Sequence, residues 1–117
     1  MSYDFSIGDI SINYTSNSAA LYHDHLPATE TRPSGLQAIN GLKGWKAGLL
    51  LSLMLQNINN ERISHHTMTT KFVGEPQMCA KYDSPNGWGS LVGQLIFIGR
   101  IAAACAAYPN EIVEFHY

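Results

Sequence analysis

Two short apolar alternations near the N-terminus flank the dipeptide Gly8-Asp9. If this dipeptide forms a tight turn, the flanking residues pair in antiparallel register, and three apolar pairs fall on one face of the ribbon. These pairs are Ile7 with Ile10, Phe5 with Ile12 and Tyr3 with Tyr14. A single continuous strand would instead divide the apolar residues between its two faces. The pattern therefore predicts a β-hairpin.

The most apolar segment of the chain, 90–107, predicts a helix that is apolar nearly all round and is therefore buried on more than one side. Ser90 or Gly89 is expected to cap its N-terminus, and Pro109-Asn110 is expected to end it. Its glycines and alanines permit close approach of another backbone, either within the core or across the interface of a homo-oligomer.

The remaining elements follow from weaker patterns. Residues 15–35 are rich in Ser, Thr, Asn and Pro and predict a long loop, whereas a helical pattern runs from Ser34 to Ile58 and is expected to end at 57–60. The span 62–73 is ambiguous between helix and strand, and 112–117 predicts a strand that pairs with the hairpin. We expect residues 1–117 to form a single α+β domain, in which a small antiparallel sheet packs against two main helices.

Charged residues make up only 14% of the chain, against about 25% in ordinary soluble domains. So few charges are typical of a chain that hides apolar surface in a homo-oligomer. The net charge of −2 provides no long-range attraction for phosphate backbones, which disfavours general nucleic-acid binding.

The chain carries no sign of secretion or membrane insertion. Its first residues contain no basic segment followed by an apolar one, and its longest apolar stretch is interrupted by Gln94 and Arg100. Cys79 and Cys105 have no CxxC partner, so neither a disulfide framework nor a metal framework is indicated. These features predict a protein of the cytoplasm, or of the host cytoplasm if a phage encodes it, that makes no membrane contact.

The turn Asn86-Gly87-Trp88-Gly89 is the first candidate site. The first N–H groups of the helix that follows lack partners within the helix and attract anions. In this interpretation Asn86 donates a hydrogen bond to a nucleotide-like ligand and Trp88 stacks on its base or sugar. Further contacts would come from Tyr22 and His23, and from Arg32, which would neutralise phosphate. The alternative interpretation is a simple turn in which Trp88 anchors the loop to the core.

The histidines are the second candidate site. On an extended segment His23 and His25 would point the same way, as metal ligands do, with Asp24 between them and His65 and His66 elsewhere in the chain. The spacing places no third ligand, and the H-E-x-x-H signature is absent. We therefore expect no cofactor and treat these five residues as an alternative metal site.

Three segments carry a resemblance to a known group of proteins. At Gly8–Thr15 (GDISINYT), at Asn86–Gly89 with the apolar helix after it, and at 108–113, the chain resembles small phage and prophage accessory proteins. The resemblance covers about half the chain and supplies no catalytic residues. It implies a protein made during infection, of the kind that counters host immunity by blocking a defence complex or sequestering a nucleotide signal.

Taken together, the sequence favours a non-catalytic binding protein of phage type. It would counteract a host antiviral process by sequestering a small anionic or nucleotide ligand, or by occluding a host protein. The alternative is a small metal-dependent or histidine-assisted hydrolase that uses His23, Asp24, His25 and His65 or His66.

Overall fold

A computed structural model describes residues 2–15, 19–67, 81–83 and 89–116, with only the backbone described for 62–67. Seven elements follow one another along the chain. They are β1 (Ser2–Ile7), β2 (Ile10–Thr15), α1 (Ala20–His25), a 3₁₀ helix (Gly35–Ile39), α2 (Gly44–Thr67), α3 (Leu91–Ala107) and β3 (Glu114–His116).

The predicted N-terminal hairpin is confirmed in both position and register. Ile7 pairs with Ile10, Phe5 with Ile12 and Tyr3 with Tyr14. Gly8 adopts a φ of 56°, the left-handed conformation that two-residue hairpin turns require and that glycine accepts without strain. The aligned apolar side chains face inward and form one wall of the core, which includes Tyr3, Phe5, Ile7 and Ile12.

The C-terminal strand joins this hairpin as predicted. β3 pairs antiparallel with β1, placing Phe115 opposite Phe5, and the three strands lie in the order β2-β1-β3. Val113 and Phe115 are buried. The small antiparallel sheet and the two main helices, α2 and α3, confirm the predicted α+β fold.

The apolar helix α3 forms where the sequence predicts it. Ser90 is the N-cap, and its hydroxyl accepts a hydrogen bond from the Gly93 N–H at 3.0 Å. Phe97 faces the sheet and stacks on Tyr14, with 5.5 Å between ring centroids, while Cys105 lies beside the start of α2. The helix is therefore buried on two sides, as its composition predicted.

The helical pattern that begins at Ser34 does not form one helix. A short 3₁₀ helix ends at Ile39, and α2 begins only at Gly44 because the chain between them pairs with the residues before β3. The Gly41 N–H donates to the Val113 carbonyl at 2.9 Å, and the Val113 N–H donates to the Leu42 carbonyl at 2.8 Å. These bonds take backbone groups that a continuous helix would need.

The predicted helix end at 57–60 and the predicted loop at 15–35 are both wrong. α2 continues to Thr67, and Asn57 uses its side-chain amide to donate to the His25 carbonyl at 2.9 Å. The expected loop contains α1, in which Leu21 and Tyr22 are buried in the core. In the described part of the chain, no helix combines the length and apolar character needed to cross a membrane.

Candidate functional site

Arg32, one of the predicted ligand residues, lies in a tight turn after α1. The Thr29 N–H donates to the Arg32 carbonyl at 3.0 Å, and the Thr31 N–H donates to the Thr29 hydroxyl at 3.3 Å. The Arg32 side chain is half-buried, and its Nη2 lies 3.5 Å from the Pro27 carbonyl oxygen. The turn therefore holds the guanidinium close to the protein surface.

Arg32 borders a groove of about 570 Å³ between this turn, the 3₁₀ helix and the first turns of α2. One wall is apolar and the other carries cations and side-chain amides. The lining residues are Thr31, Arg32, Pro33, Gln37, Ala38, Asn40, Leu42, Lys46, Leu49 and Leu50. We call this space the Arg32 groove.

The edge of the Arg32 groove is fixed to the sheet. The Asn40 Oδ1 accepts a hydrogen bond from the Phe115 N–H at 3.0 Å, so the Asn40 amide nitrogen is the donor on the other side of the same group. Leu42 is held by its backbone bond with Val113. The groove is thus supported by tertiary hydrogen bonds rather than by a loop alone.

The described lining of the Arg32 groove contains two cationic side chains, Arg32 and Lys46, and no carboxylate. Lys46 lies in the first turn of α2. The α2 N-terminus adds no free amides beside it, because the Gly44 N–H donates to the Glu111 carbonyl and the Trp45 N–H to the Pro109 carbonyl. The positive character of the groove therefore comes from its side chains.

The predicted metal ligands diverge. In α1, two residues of separation turn His23 and His25 toward opposite sides, because successive helical residues are rotated by about 100°. His23 is exposed, with Nδ1 2.7 Å from the Ser34 hydroxyl, whereas His25 is buried, with Nε2 2.8 Å from a Glu61 carboxylate oxygen. The prediction that the two rings share one direction was wrong, because it assumed an extended segment.

The remaining predicted metal ligands bring no third group to either ring. Asp24 accepts a hydrogen bond from the Tyr82 hydroxyl at 2.9 Å, and burial raises the pKa of Tyr82 to about 12. His65 and His66 lie in the last turns of α2, where only the backbone is described. Among the described residues, no three side chains of metal-binding type come together.

Tyr22, another predicted ligand residue, lies inside the core. Its ring packs edge-on against Tyr3, with 5.7 Å between centroids, and only 1% of the residue is exposed. Burial raises the pKa of Tyr22 above its usual range. In this conformation the Tyr22 side chain stabilises the fold and does not reach a ligand in solvent.

Asn86, Gly87 and Trp88 lie outside the described residues, but the helix start that follows them is described. The Leu91 N–H donates to the Asp83 carboxylate at 2.7 Å, and the Gly93 N–H donates to the Ser90 hydroxyl. Two of the first amides of α3 therefore have partners, and a carboxylate of the protein occupies a position that an anionic ligand would use.

The sequence interpretation identified Arg32 but missed Lys46, Gln37 and Asn40 as its neighbours. These residues lie within a helical pattern and carry no motif. Only the bend between the 3₁₀ helix and α2 brings them to one groove with Arg32. The available signal was the clustering of Lys43 and Lys46 at the start of a helix in a chain with few charges.

The Arg32 groove is thus the best-supported candidate binding site in the described part of the chain. No family model, curated protein or solved structure matches this chain.

Proposed function

We propose that this protein is a non-catalytic binding protein that captures a small organic anion, such as a nucleotide, in the Arg32 groove. One observation carries the proposal: Arg32 and Lys46 line the same groove as a wall of leucines, and the described lining holds no carboxylate. A phosphate would bind the two cations, and the apolar part of the ligand would contact Leu42, Leu49 and Leu50.

The dimensions of the groove support a ligand of this class. Its volume of about 570 Å³ is within the range of pockets that bind small molecules. The amides of Gln37 and Asn40 would orient polar edges of the ligand, as a few placed polar groups do in such pockets. Inorganic phosphate alone would leave the leucine wall unused and is expected to bind more weakly.

The resemblance of the chain ends to phage accessory proteins supports a biological setting for this binding. A nucleotide-binding protein made during infection would sequester a host signal and so weaken an antiviral response. Of the two versions considered from sequence, capture of a small ligand and occlusion of a host protein, the Arg32 groove favours capture. The hydrolase alternative gains no support from His23 and His25, which point apart.

A thermal-shift panel tests the proposal. The panel contains nucleoside monophosphates, cyclic nucleotides, cyclic dinucleotides and inorganic phosphate. A ligand that binds only the folded state stabilises it by about 2.7 kcal/mol at 100 times its dissociation constant, which gives a clear rise in melting temperature. At least one nucleotide is expected to produce this rise. No rise with any member of the panel would contradict the proposal.

Substitutions locate the binding. Arg32→Gln and Lys46→Gln each remove one charged donor, so each is expected to weaken binding by about tenfold to a hundredfold. Lys43→Gln is the matched control, because Lys43 is an exposed cation one turn from Lys46 that does not line the groove. An equal loss in Lys43→Gln would show that binding depends on overall charge and not on the groove.

A further inference from the structure

Two stripes of exposed residues run along α2 and α3 with the same spacing. In α2 the stripe consists of Trp45, Leu49, Ser52, Gln56 and Asn59, and in α3 it consists of Val92, Ile96, Gly99, Ala103 and Ala106. Each stripe advances by four and then three residues, which keeps its members on one face of a helix. All ten residues are exposed, and none is charged.

The two stripes lie side by side on one surface. α2 and α3 are antiparallel, because Gly44 lies against the carbonyl groups of Cys105 and Tyr108, while Gln94 at the opposite end donates to the Tyr82 carbonyl beside Lys81 and Glu61. Between the helices runs a groove of about 280 Å³, lined by residues that include Trp45, Ser52 and Ala106. We call this combined surface the helical face.

The helical face exposes large apolar side chains without a partner in the chain. The exposed fraction is 51% for Trp45, 62% for Leu49 and 58% for Ile96. Together with Leu53 and Val92, these residues expose several hundred square ångströms of apolar area, which is the size that marks a contact site on a soluble protein. Lys46 and Arg100 border this surface, where their charges stay in water.

The arrangement of large and small residues favours one occupant. Large side chains alternate with small ones, so the same surface presents projections, such as Trp45 and Leu49, and a groove whose floor contains Gly48 and Ala102. A two-fold axis across such a surface places the projections of each copy in the groove of the other. We propose that the helical face is the interface of a homodimer.

The size of the helical face is sufficient for such an interface. A helix of 17 residues is about 25 Å long, and two packed helices are about 20 Å wide. Once side-chain relief is included, a surface of these dimensions approaches the roughly 800 Å² per partner that a specific dimer buries. Leu49 lines both this surface and the Arg32 groove, so the second copy lies beside the ligand site. The dimer itself does not depend on the proposed function.

Sedimentation equilibrium of the full chain without ligand tests the interface. The wild-type protein is expected to be a dimer at micromolar concentrations. Ile96→Glu and Ala103→Glu place a charge on the helical face, and each substitution acts twice in a two-fold interface. Each is expected to raise the dimer dissociation constant at least about a hundredfold. Both positions are exposed, and the helical content measured by circular dichroism is expected to stay unchanged.

Ile112→Glu is the matched control, because Ile112 is 50% exposed but lies outside both helices. This variant is expected to remain a dimer. A monomeric wild-type protein would overturn the proposal. A dimer that persists in both Ile96→Glu and Ala103→Glu, or one that Ile112→Glu also disrupts, would overturn it as well.

Discussion

The His25 imidazole binds the Glu61 carboxylate, with 2.8 Å between Nε2 and Oε2, and so links α1 to the middle of α2. The other ring nitrogen, Nδ1, lies 2.7 Å from the Leu21 carbonyl oxygen. Both partners are acceptors when Glu61 is ionised, so both bonds are complete when each ring nitrogen carries a hydrogen. His25 is buried, and it fixes the helix that precedes the Arg32 turn.

Glu61→Ala is expected to lower the free energy of unfolding by about 1 to 3 kcal/mol, because it leaves a buried imidazole nitrogen without its partner. Glu61→Gln retains an oxygen and a nitrogen within reach of His25 and is expected to cost less. Lys81→Ala removes only the exposed ion pair at 3.3 Å and is expected to cost less than about 1 kcal/mol. Urea unfolding measures all three variants. A cost for Lys81→Ala equal to that of Glu61→Ala would contradict this assignment.

Gly44→Ala is expected to destabilise the protein by about 1 to 3 kcal/mol. A Cβ atom at Gly44 would overlap the Tyr108 carbonyl oxygen and lie 2.7 Å from the Cys105 carbonyl oxygen, so α2 and α3 would have to move apart. Gly48→Ala, one turn along the same helix, is the control, because its Cβ would meet only the Cys105 Cβ at 3.9 Å. It is expected to be neutral or to stabilise by up to about 1 kcal/mol through helix propensity. Thermal unfolding that affects both variants equally would disprove the close approach at Gly44.

Stability is expected to fall as the pH rises above 9, partly because of Cys105. Burial raises the pKa of the Cys105 thiol from 9.0 to about 11. The unfolded chain therefore loses this proton first, and the stability that the neutral thiol provides below pH 9 is lost as the pH approaches 11. Unfolding free energies measured at about pH 8 and about pH 10.5 are expected to differ less in Cys105→Ala than in the wild type. An identical decrease in the two proteins would contradict the prediction.

The elements that the sequence predicted well are those defined by local pattern. The hairpin register follows from three apolar pairs around Gly8-Asp9, and α3 follows from a continuous apolar segment with Ser90 as its N-cap. Both depend on residues close together in the chain, so neighbouring side chains are enough to define them. The pairing of β3 with β1 followed from the alternation of its apolar residues.

The elements that the sequence did not predict depend on distant partners. The break before α2 is set by pairing of Gly41 and Leu42 with Val113, about 70 residues away, and no local pattern at 40–43 signals it. α1 has only six residues, too few to show a helical period. The Arg32 groove depends on both features, which explains why Arg32 was found from sequence while Lys46 was not.

Nuclear magnetic resonance titration of the ¹⁵N-labelled protein tests the central claim most directly. AMP, cyclic AMP and a cyclic dinucleotide are added in turn, and the backbone amide signals are followed. We expect at least one of these nucleotides to shift the amides of Arg32, Gln37, Lys46 and Leu50, which surround the Arg32 groove. Shifts confined to the start of α3, or no shift with any of the three nucleotides, would contradict the account.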